Sequence, residues 1–347
     1  MIVDLDRVAL ALPDYELGEE LGSGSFGQVV AGWHRRLGHP VAVKVLSPGT
    51  GRTGGGFEDE ARLLASLDHP HICPVHEVGE SDGVVMIVME LLAGGTLSRR
   101  RAGLTPEASC AVGLAVATAL SHAHAHGVLH RDIKADNILF DEAGQVRVSD
   151  FGVARLFEVS ALAAAMAGMP SYMAPEQIRG APIGPATDLY ALAVVLYELF
   201  AGVPPFNPAL PAPTLRNQLL TVVPAPPPGV PAPLADVLLR SLAKEPGERH
   251  PTAHAFAFDL AQAAARSYGS DWLARAGMPL YLDEDILRAA GQPVGRGQPG
   301  RSSRPADRRA APGAQSPPGR WAAQPAAAGG AEPASAGAGG AGTAAAA

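Results

Sequence analysis

The sequence predicts an α+β fold of two lobes, in which a small β-rich lobe with one key helix precedes a larger α-helical lobe and a disordered C-terminal tail. Two observations predict the lobes: short β-type apolar runs crowd into the first part of the chain, and longer stretches with helical apolar spacing follow. A third marks the tail, where proline, glycine, alanine and serine leave too few large apolar residues to offset chain entropy. The predicted ranges are 1–14 for a lead-in, 15–92 for the first lobe, 93–266 for the second lobe, 267–290 for a short helical extension and 291–347 for the tail.

Composition limits the classes of protein to consider. The chain has 347 residues, 47% of them hydrophobic, and a formal net charge of −7, which argues against nucleic acid as a partner. Its two cysteines, Cys73 and Cys110, provide no disulfide framework and fit a reducing compartment. The N-terminus lacks the basic and apolar regions of a signal peptide. The longest apolar run, at 189–200, contains Glu198 and is shorter than the roughly 18 residues of a membrane span. We therefore expect a soluble protein without a membrane span.

A glycine-rich turn opens the first lobe. Residues 15–21 predict a strand, the motif Gly-Ser-Gly-Ser-Phe-Gly follows at 22–27, and residues 29–31 predict a second strand. Glycines let a backbone approach phosphates, and Phe26 at the tip can shield them from water. The same glycine spacing occurs in ordinary hairpins and in Rossmann folds, but a Rossmann unit would continue into a helix. Strand-like runs on both sides favour a hairpin that covers phosphates.

Lys44 lies in the middle of a β-type run at 41–46, where a buried lysine would need a partner. A lysine on the solvent face of an edge strand is the ordinary alternative. The predicted partner is Glu60, in a segment at 57–67 whose apolar spacing predicts a helix, although Glu58 and Asp59 compete for this role. Two more strands are predicted at 75–78 and 84–89, and the residues after them would connect the lobes or simply end the strand.

The clearest chemistry lies in the motif His-Arg-Asp-Ile-Lys-Ala-Asp-Asn at 130–137 and in Asp-Phe-Gly at 150–152. These motifs supply carboxylates at Asp132 and Asp150, an ammonium at Lys134 and an amide at Asn137. Phosphoryl transfer needs such groups: one to orient a hydroxyl, a cation for the moving phosphate, and oxygen ligands for Mg²⁺. Two ordered motifs at short spacing are much more specific than an isolated Asp-Phe-Gly.

Helical patterns fill the second lobe. Helices are predicted at 105–126, 188–202, 215–220, 234–242 and 252–265, with a hairpin of strands at 138–140 and 146–148. The first of these helices has Pro106 in its first turn, where the missing N–H does no harm. His122, His124 and His126 alternate along it. Because side chains two positions apart point in different directions on a helix, we expect structural roles for them rather than a shared metal ion.

These residues together resemble the eukaryotic-like protein kinases, and the flanking sequences resemble the bacterial serine/threonine branch. The match extends over roughly residues 15–265 and is specific because eight separate motifs agree in order and spacing. The matching segments are the glycine-rich turn, Lys44, Glu60, the motifs at 130–137 and 150–152, Ala-Pro-Glu at 174–176, Asp188 and Arg249.

The resemblance implies a serine/threonine protein kinase that uses ATP and Mg²⁺, with Mn²⁺ as an alternative metal. Asp132 would orient the substrate hydroxyl and take its proton, and Lys134 would stabilise the transferred phosphoryl group. Asn137 and Asp150 would hold the metal. Arg249 would pair with Glu176 in a structural role, as would Asp188.

The resemblance also implies an ATP site between the lobes. Lys44 would grip the α- and β-phosphates while paired with Glu60. Backbone groups of Glu90 and Leu92 would contact adenine, and the Met89 side chain would line the back of the pocket. The complete predicted ATP-binding set is Leu21, Gly22, Ser23, Gly24, Ser25, Phe26, Gly27, Val29, Ala42, Lys44, Glu60, Met89, Glu90 and Leu92.

Two departures from the family pattern motivate an alternative. Met169 stands where the family usually has a threonine, and Ser160 is the only hydroxyl residue between Asp150 and Met169. An ATP-binding pseudokinase or scaffold is therefore the second hypothesis, and a small-molecule phosphotransferase, disfavoured by Lys134, is the third. We expect protein substrates as partners and leave a dimer open. Many bacterial relatives carry a membrane span after the kinase, and since none follows here we expect a cytoplasmic protein.

Overall fold

The structure, a computed structural model, describes residues 5–24, 27–46, 62–81, 83–152 and 171–292. It confirms the predicted fold class, because strands form the first lobe and helices form the second.

A five-stranded antiparallel sheet forms the first lobe. Its strands are β1 (Tyr15–Gly24), β2 (Gly27–His34), β3 (His39–Leu46), β4 (Val75–Ser81) and β5 (Val84–Glu90), in the spatial order β1-β2-β3-β5-β4. The strand β3 therefore lies in the middle of the sheet and is buried from Val41 to Leu46. This position excludes the alternative that Lys44 lies on an edge strand.

The N-terminal lead-in contains a helix that the sequence did not predict, α1 (Leu5–Ala11). Val8 on this helix and Leu12 after it are buried together with Tyr15 against the sheet. A helix of this length is not stable in isolation, so it forms because tertiary packing covers its apolar residues. Because the helix depends on packing against the sheet, the local sequence alone does not indicate it.

The second lobe contains seven helices and a short hairpin among the described residues. The helices are α2 (Leu97–Arg100), α3 (Pro106–Ala125), α4 (Pro175–Arg179), α5 (Pro185–Ala201), α6 (Ala212–Thr221), α7 (Ala232–Ser241) and α8 (Ala253–Tyr268). The hairpin strands are β6 (Ile138–Phe140) and β7 (Val146–Val148), which pair as predicted. Beyond α8, the extension contains two short helices where one was expected, α9 (Trp272–Ala276) and α10 (Glu284–Ala289).

The helix α3 is the centre of this lobe. It begins as predicted after Thr105, whose side-chain oxygen accepts the Ala108 N–H at 3.1 Å. A Cβ atom at Gly113 would come within 2.9 Å of side-chain atoms of Leu196 and Leu260, so α5 and α8 pack closely on α3 at this glycine. Within the described residues, α3 alone is long and apolar enough to cross a membrane, and 78% of the qualifying window is buried inside the protein. Its place in the core accounts for that apolar character.

Candidate active site

The loop between α3 and β6 gathers three of the predicted site residues. The Lys134 ammonium donates to Asp132 Oδ2 at 2.7 Å, and the Asn137 side-chain amide donates to the Asp132 carbonyl at 2.7 Å and to Oδ2 at 3.1 Å. The Asp132 side chain is 32% exposed, so its carboxylate remains accessible while two neighbours fix its orientation. A carboxylate held in this way can receive a proton from a hydroxyl that approaches from solvent.

A buried carboxylate on α5 is hydrogen-bonded to the backbone of this loop. Asp188 accepts the backbone N–H of His130 at 2.9 Å, the N–H of Arg131 at 2.7 Å and a hydrogen bond from His124 at 2.8 Å. Burial alone would raise the pKa of Asp188, but the hydrogen bond and electrostatic interaction with His124 and the contacts with His130 hold that pKa below its usual range. Asp188 is therefore a charged anchor for the catalytic loop.

The second part of the site is an ion pair between the lobes. The Lys44 ammonium on β3 lies 2.7 Å from Asp150 Oδ2, and the Lys44 side chain is 9% exposed. Asp150 follows β7 and has a positive φ of 65°, a conformation that costs an aspartate on the order of 1 kcal/mol. The ring of Phe151 packs on His130 with centroids 4.7 Å apart, which ties this segment to the catalytic loop.

Asn137 and Asp150, the predicted metal ligands, are brought together by the backbone. The Ser149 N–H donates to the Asn137 carbonyl at 2.9 Å. Asp150 is the next residue after Ser149, so this hydrogen bond holds its backbone next to that of Asn137. Because the Asn137 amide nitrogen is engaged with Asp132, the side-chain oxygen is the atom that it can offer to a metal. An amide oxygen and a carboxylate suit a hard cation such as Mg²⁺, so these residues fit the predicted ion.

The glycine-rich turn joins β1 to β2, as predicted. Leu21, Gly22, Ser23 and Gly24 lie on β1, while Ser25 and Phe26 fall outside the described residues. Gly27 opens β2 with φ 146°, and a Cβ atom there would come within 2.0 Å of the Val45 carbonyl oxygen. The turn can therefore lie close to β3 only because residue 27 is glycine.

Four of the predicted ATP-binding residues meet in one apolar cluster. Val29, Ala42, Met89 and Leu92 share this cluster, and Ala42 pairs directly with Met89 across β3 and β5. The Glu90 N–H donates to the Pro74 carbonyl at 3.0 Å. The Glu90 carbonyl accepts a weak hydrogen bond from the Cys73 thiol at 3.7 Å and has a second lone pair that can accept from adenine. The cluster forms an apolar floor where β5 leads into the second lobe.

The cluster also contains residues that are absent from the predicted ATP-binding set, among them Cys73 and Leu139. Leu139 lies two residues after Asn137, and this short separation in the sequence was the signal that could have placed it near the site. Burial raises the pKa of the Cys73 thiol to about 12, and this residue behaves as a small apolar side chain.

The partner of Lys44 also differs in part from the prediction. The observed ion pair with Asp150 was not predicted, and Glu60, the predicted partner, lies outside the described residues, as do Ser160 and Met169.

The predicted pairing of Glu176 with Arg249 is present and doubly hydrogen-bonded. Arg249 donates from its two terminal nitrogens to the two carboxylate oxygens at 2.8 Å each, and Thr187 donates to the same carboxylate at 2.8 Å. Burial would raise the pKa of Glu176, but Arg249 holds it below its usual range. The pair joins the start of α4 to the turn before α8 and is structural.

The alternating histidines of α3 have separate partners. His124 binds Asp188, while the rings of His122 and His126 pack on each other with centroids 4.4 Å apart. The described contacts of these residues are those of structural side chains.

Comparisons with known proteins agree with this geometry. Residues 15–257 match the family model described as a protein kinase domain. The serine/threonine-protein kinase PkaB of Streptomyces coelicolor is 38% identical over 68% of this chain and 60% of its own length. The serine/threonine-protein kinase PknB of Mycobacterium tuberculosis is 36% identical over 71% of this chain and 42% of its own length. The chain thus spans less than two thirds of the length of these curated relatives.

A solved structure is similar as well. The kinase domain of PknI from Mycobacterium tuberculosis aligns with a TM-score of 0.56 and 31% sequence identity, covering 72% of this chain and 96% of that domain.

Proposed function

Since the chain belongs to the protein kinase family, we propose that it transfers the γ-phosphoryl group of ATP to serine and threonine hydroxyls of proteins, including its own. The observation that carries this proposal is the shared carboxylate of Asp132, which Lys134 and Asn137 orient beside the ion pair of Lys44 with Asp150. Among the described residues, these side chains supply the proton acceptor, the cations and the oxygen ligands for a metal that phosphoryl transfer needs.

The proposed reaction follows from the positions of these groups. The substrate hydroxyl oxygen forms a bond to the γ-phosphorus, the bond to the β,γ-bridging oxygen breaks, and the hydroxyl proton passes to Asp132. Lys134, whose ammonium touches that carboxylate, lies where it can neutralise charge on the transferred group. Lys44 binds the α- and β-phosphates.

The family uses ATP and a divalent metal, and we propose Mg²⁺, with Mn²⁺ as a substitute. When bound by Asn137 and Asp150, the ion supplies positive charge that offsets the phosphate oxygens. Activity with Mg²⁺ or Mn²⁺ and its loss with a chelator are the expected results.

We also propose a cytoplasmic protein without a membrane span and without a nucleic-acid partner. The formal net charge of −7 and the burial of α3 in the core support this proposal.

Incorporation of labelled phosphate from ATP with Mg²⁺ tests the function. The wild-type protein should label itself or a generic protein substrate, and Asp132→Asn should lose at least 100-fold of the rate because the proton acceptor is gone. Asp14→Asn is a matched control, since this aspartate lies just before β1 and pairs with Arg36 at the surface. A chain that binds ATP in a thermal-shift assay but labels no protein would instead be the pseudokinase, and label on a metabolite alone would identify a small-molecule phosphotransferase.

A further inference from the structure

The C-terminal extension forms a closed unit that is fastened to the helical lobe. Trp272 is fully buried, and its indole N–H donates to the Ala290 carbonyl at 3.2 Å. The Gln292 side chain donates to the Ser270 carbonyl at 2.7 Å, which closes the unit at its ends. Arg275 contacts Glu107 on α3 at 3.1 Å. The matched family model ends at residue 257, so this unit is an addition to it.

The segment between α9 and α10 reaches a buried histidine that belongs to the loop before β4. The Tyr281 backbone N–H donates to His71 Nε2 at 3.0 Å, and the other ring nitrogen of His71 is hydrogen-bonded to the Val146 carbonyl at 2.8 Å. A backbone N–H can only donate and a carbonyl can only accept, so the proton of the neutral ring is on Nδ1. His71 is fully buried, and it therefore joins the extension to β7.

The backbone around His71 continues this connection toward the active site. The Val148 N–H donates to the His71 carbonyl, and the Cys73 N–H donates to the Val148 carbonyl, both at 2.9 Å. The strand β7 ends at Val148, two residues before Asp150. Since Asp150 has a positive φ that only its surroundings can maintain, the position of β7 affects the position of its carboxylate.

We propose that the extension is a strap that holds β7, and through it Asp150, by means of the hydrogen bond from the Tyr281 N–H to His71. His71 is then a positioning residue for the phosphate and metal site. The inference rests on the proposed function for its consequence in catalysis, but the mechanical connection exists whether or not the chain is an active kinase.

The mechanical connection is tested by two variants at one position. Tyr281→Pro removes the backbone donor, while Tyr281→Ala keeps it and removes the half-exposed ring, which meets the His71 ring edge-on with centroids 5.9 Å apart. In the full-length protein, Tyr281→Pro should accelerate hydrogen exchange at the Cys73 and Val148 amides about tenfold, and Tyr281→Ala should leave it within about twofold. Equal exchange in both variants and the wild type would overturn the proposal without any reference to activity.

The catalytic consequence is tested by a double-mutant cycle. His71→Asn keeps a donor near the Val146 carbonyl, and its shorter side chain places no acceptor at the position of Nε2, to which the Tyr281 N–H donates. Tyr281→Pro and His71→Asn should each lower kcat/KM for ATP about tenfold, leave KM for a peptide substrate unchanged, and combine with no further loss because they break the same bond. Additive losses, or a fall that follows only the loss of folded protein, would contradict the positioning role. If the wild type has no activity, the proposed function fails, and the exchange experiment still shows whether the extension holds β7.

Discussion

Asp188 accepts the backbone N–H of Arg131 at 2.7 Å, and Arg131 has a positive φ of 69°. Within the described residues, Arg131 and Asp150 are the only residues other than glycine with this backbone conformation, and they lie on either side of Asp132 in the chain. Such strain persists where the surrounding structure determines it. The anchor on α5 therefore sets the path of the loop that carries Asp132.

Removal of this anchor should affect both stability and catalysis. In Asp188→Ala, the buried N–H groups of His130 and Arg131 lose their acceptor, so we expect the free energy of unfolding to fall by about 3 kcal/mol. Phosphoryl transfer should fall by more than 100-fold under conditions in which the protein is still folded. Denaturant unfolding and steady-state kinetics measure the two effects. His124→Ala, which leaves both backbone contacts intact, should lose less than half as much stability. An equal loss would contradict the claim that Asp188 anchors the loop through those backbone contacts.

The buried pair of Arg249 with Glu176 should be worth far more than a surface pair. Arg249→Met leaves the Glu176 carboxylate buried without its partner, and the free energy of unfolding should fall by about 3–5 kcal/mol. Arg36→Ala is the matched control because both side chains of its pair with Asp14 lie at the surface, and it should cost less than about 1 kcal/mol. Urea unfolding of both variants tests the prediction, and similar losses in the two would refute it.

Two glycines in the phosphate-covering turn should respond differently to the same substitution. A Cβ atom at Gly27 meets the Val45 carbonyl oxygen, whereas at Gly22 it meets nothing within 4 Å. Gly27→Ala should therefore move β2 away from β3 and destabilise the protein by about 2 kcal/mol or more. Gly22→Ala should leave the melting temperature of the free protein within about 1 °C and weaken ATP binding if phosphates approach its backbone. Thermal melts with and without ATP separate these outcomes, and equal melting temperatures for the two variants would contradict the clash.

Local patterns in the sequence predicted the fold class, and short motifs predicted the residues that would carry the chemistry. Strand periodicity and turn residues indicated the hairpin that leads to Asp150, and helical apolar spacing indicated α3 and α5. Contacts between distant residues have no such local signal. The pairing of Lys44 with Asp150 depends on how the lobes close on each other. The hydrogen bond from Tyr281 to His71 uses a backbone donor, which any residue except proline would supply. The identity of residue 281 therefore could not predict this bond.

The neutral state of His71 predicts a dependence of stability on pH. Burial first, and then the charge of Arg147, lower the pKa of His71 to about 4, although the Val146 carbonyl and Asp141 act in the opposite direction. In the unfolded chain this histidine titrates near its ordinary pKa of 6.5. Between these values the unfolded state binds more protons, so the free energy of unfolding should fall as the pH decreases from 6.5 towards 4.

Each histidine of this kind contributes up to about 1.4 kcal/mol per pH unit to that fall. His69, whose pKa burial lowers to about 3, adds a second contribution over the same range. His71→Asn removes one of the titrating histidines, so its unfolding free energy should depend on pH with a slope smaller by about one proton. Urea unfolding at a series of pH values from 7 to 4.5 measures both slopes. If the wild type and the variant have the same slope, His71 does not remain neutral in the folded protein, and its ring cannot accept the Tyr281 N–H at acidic pH.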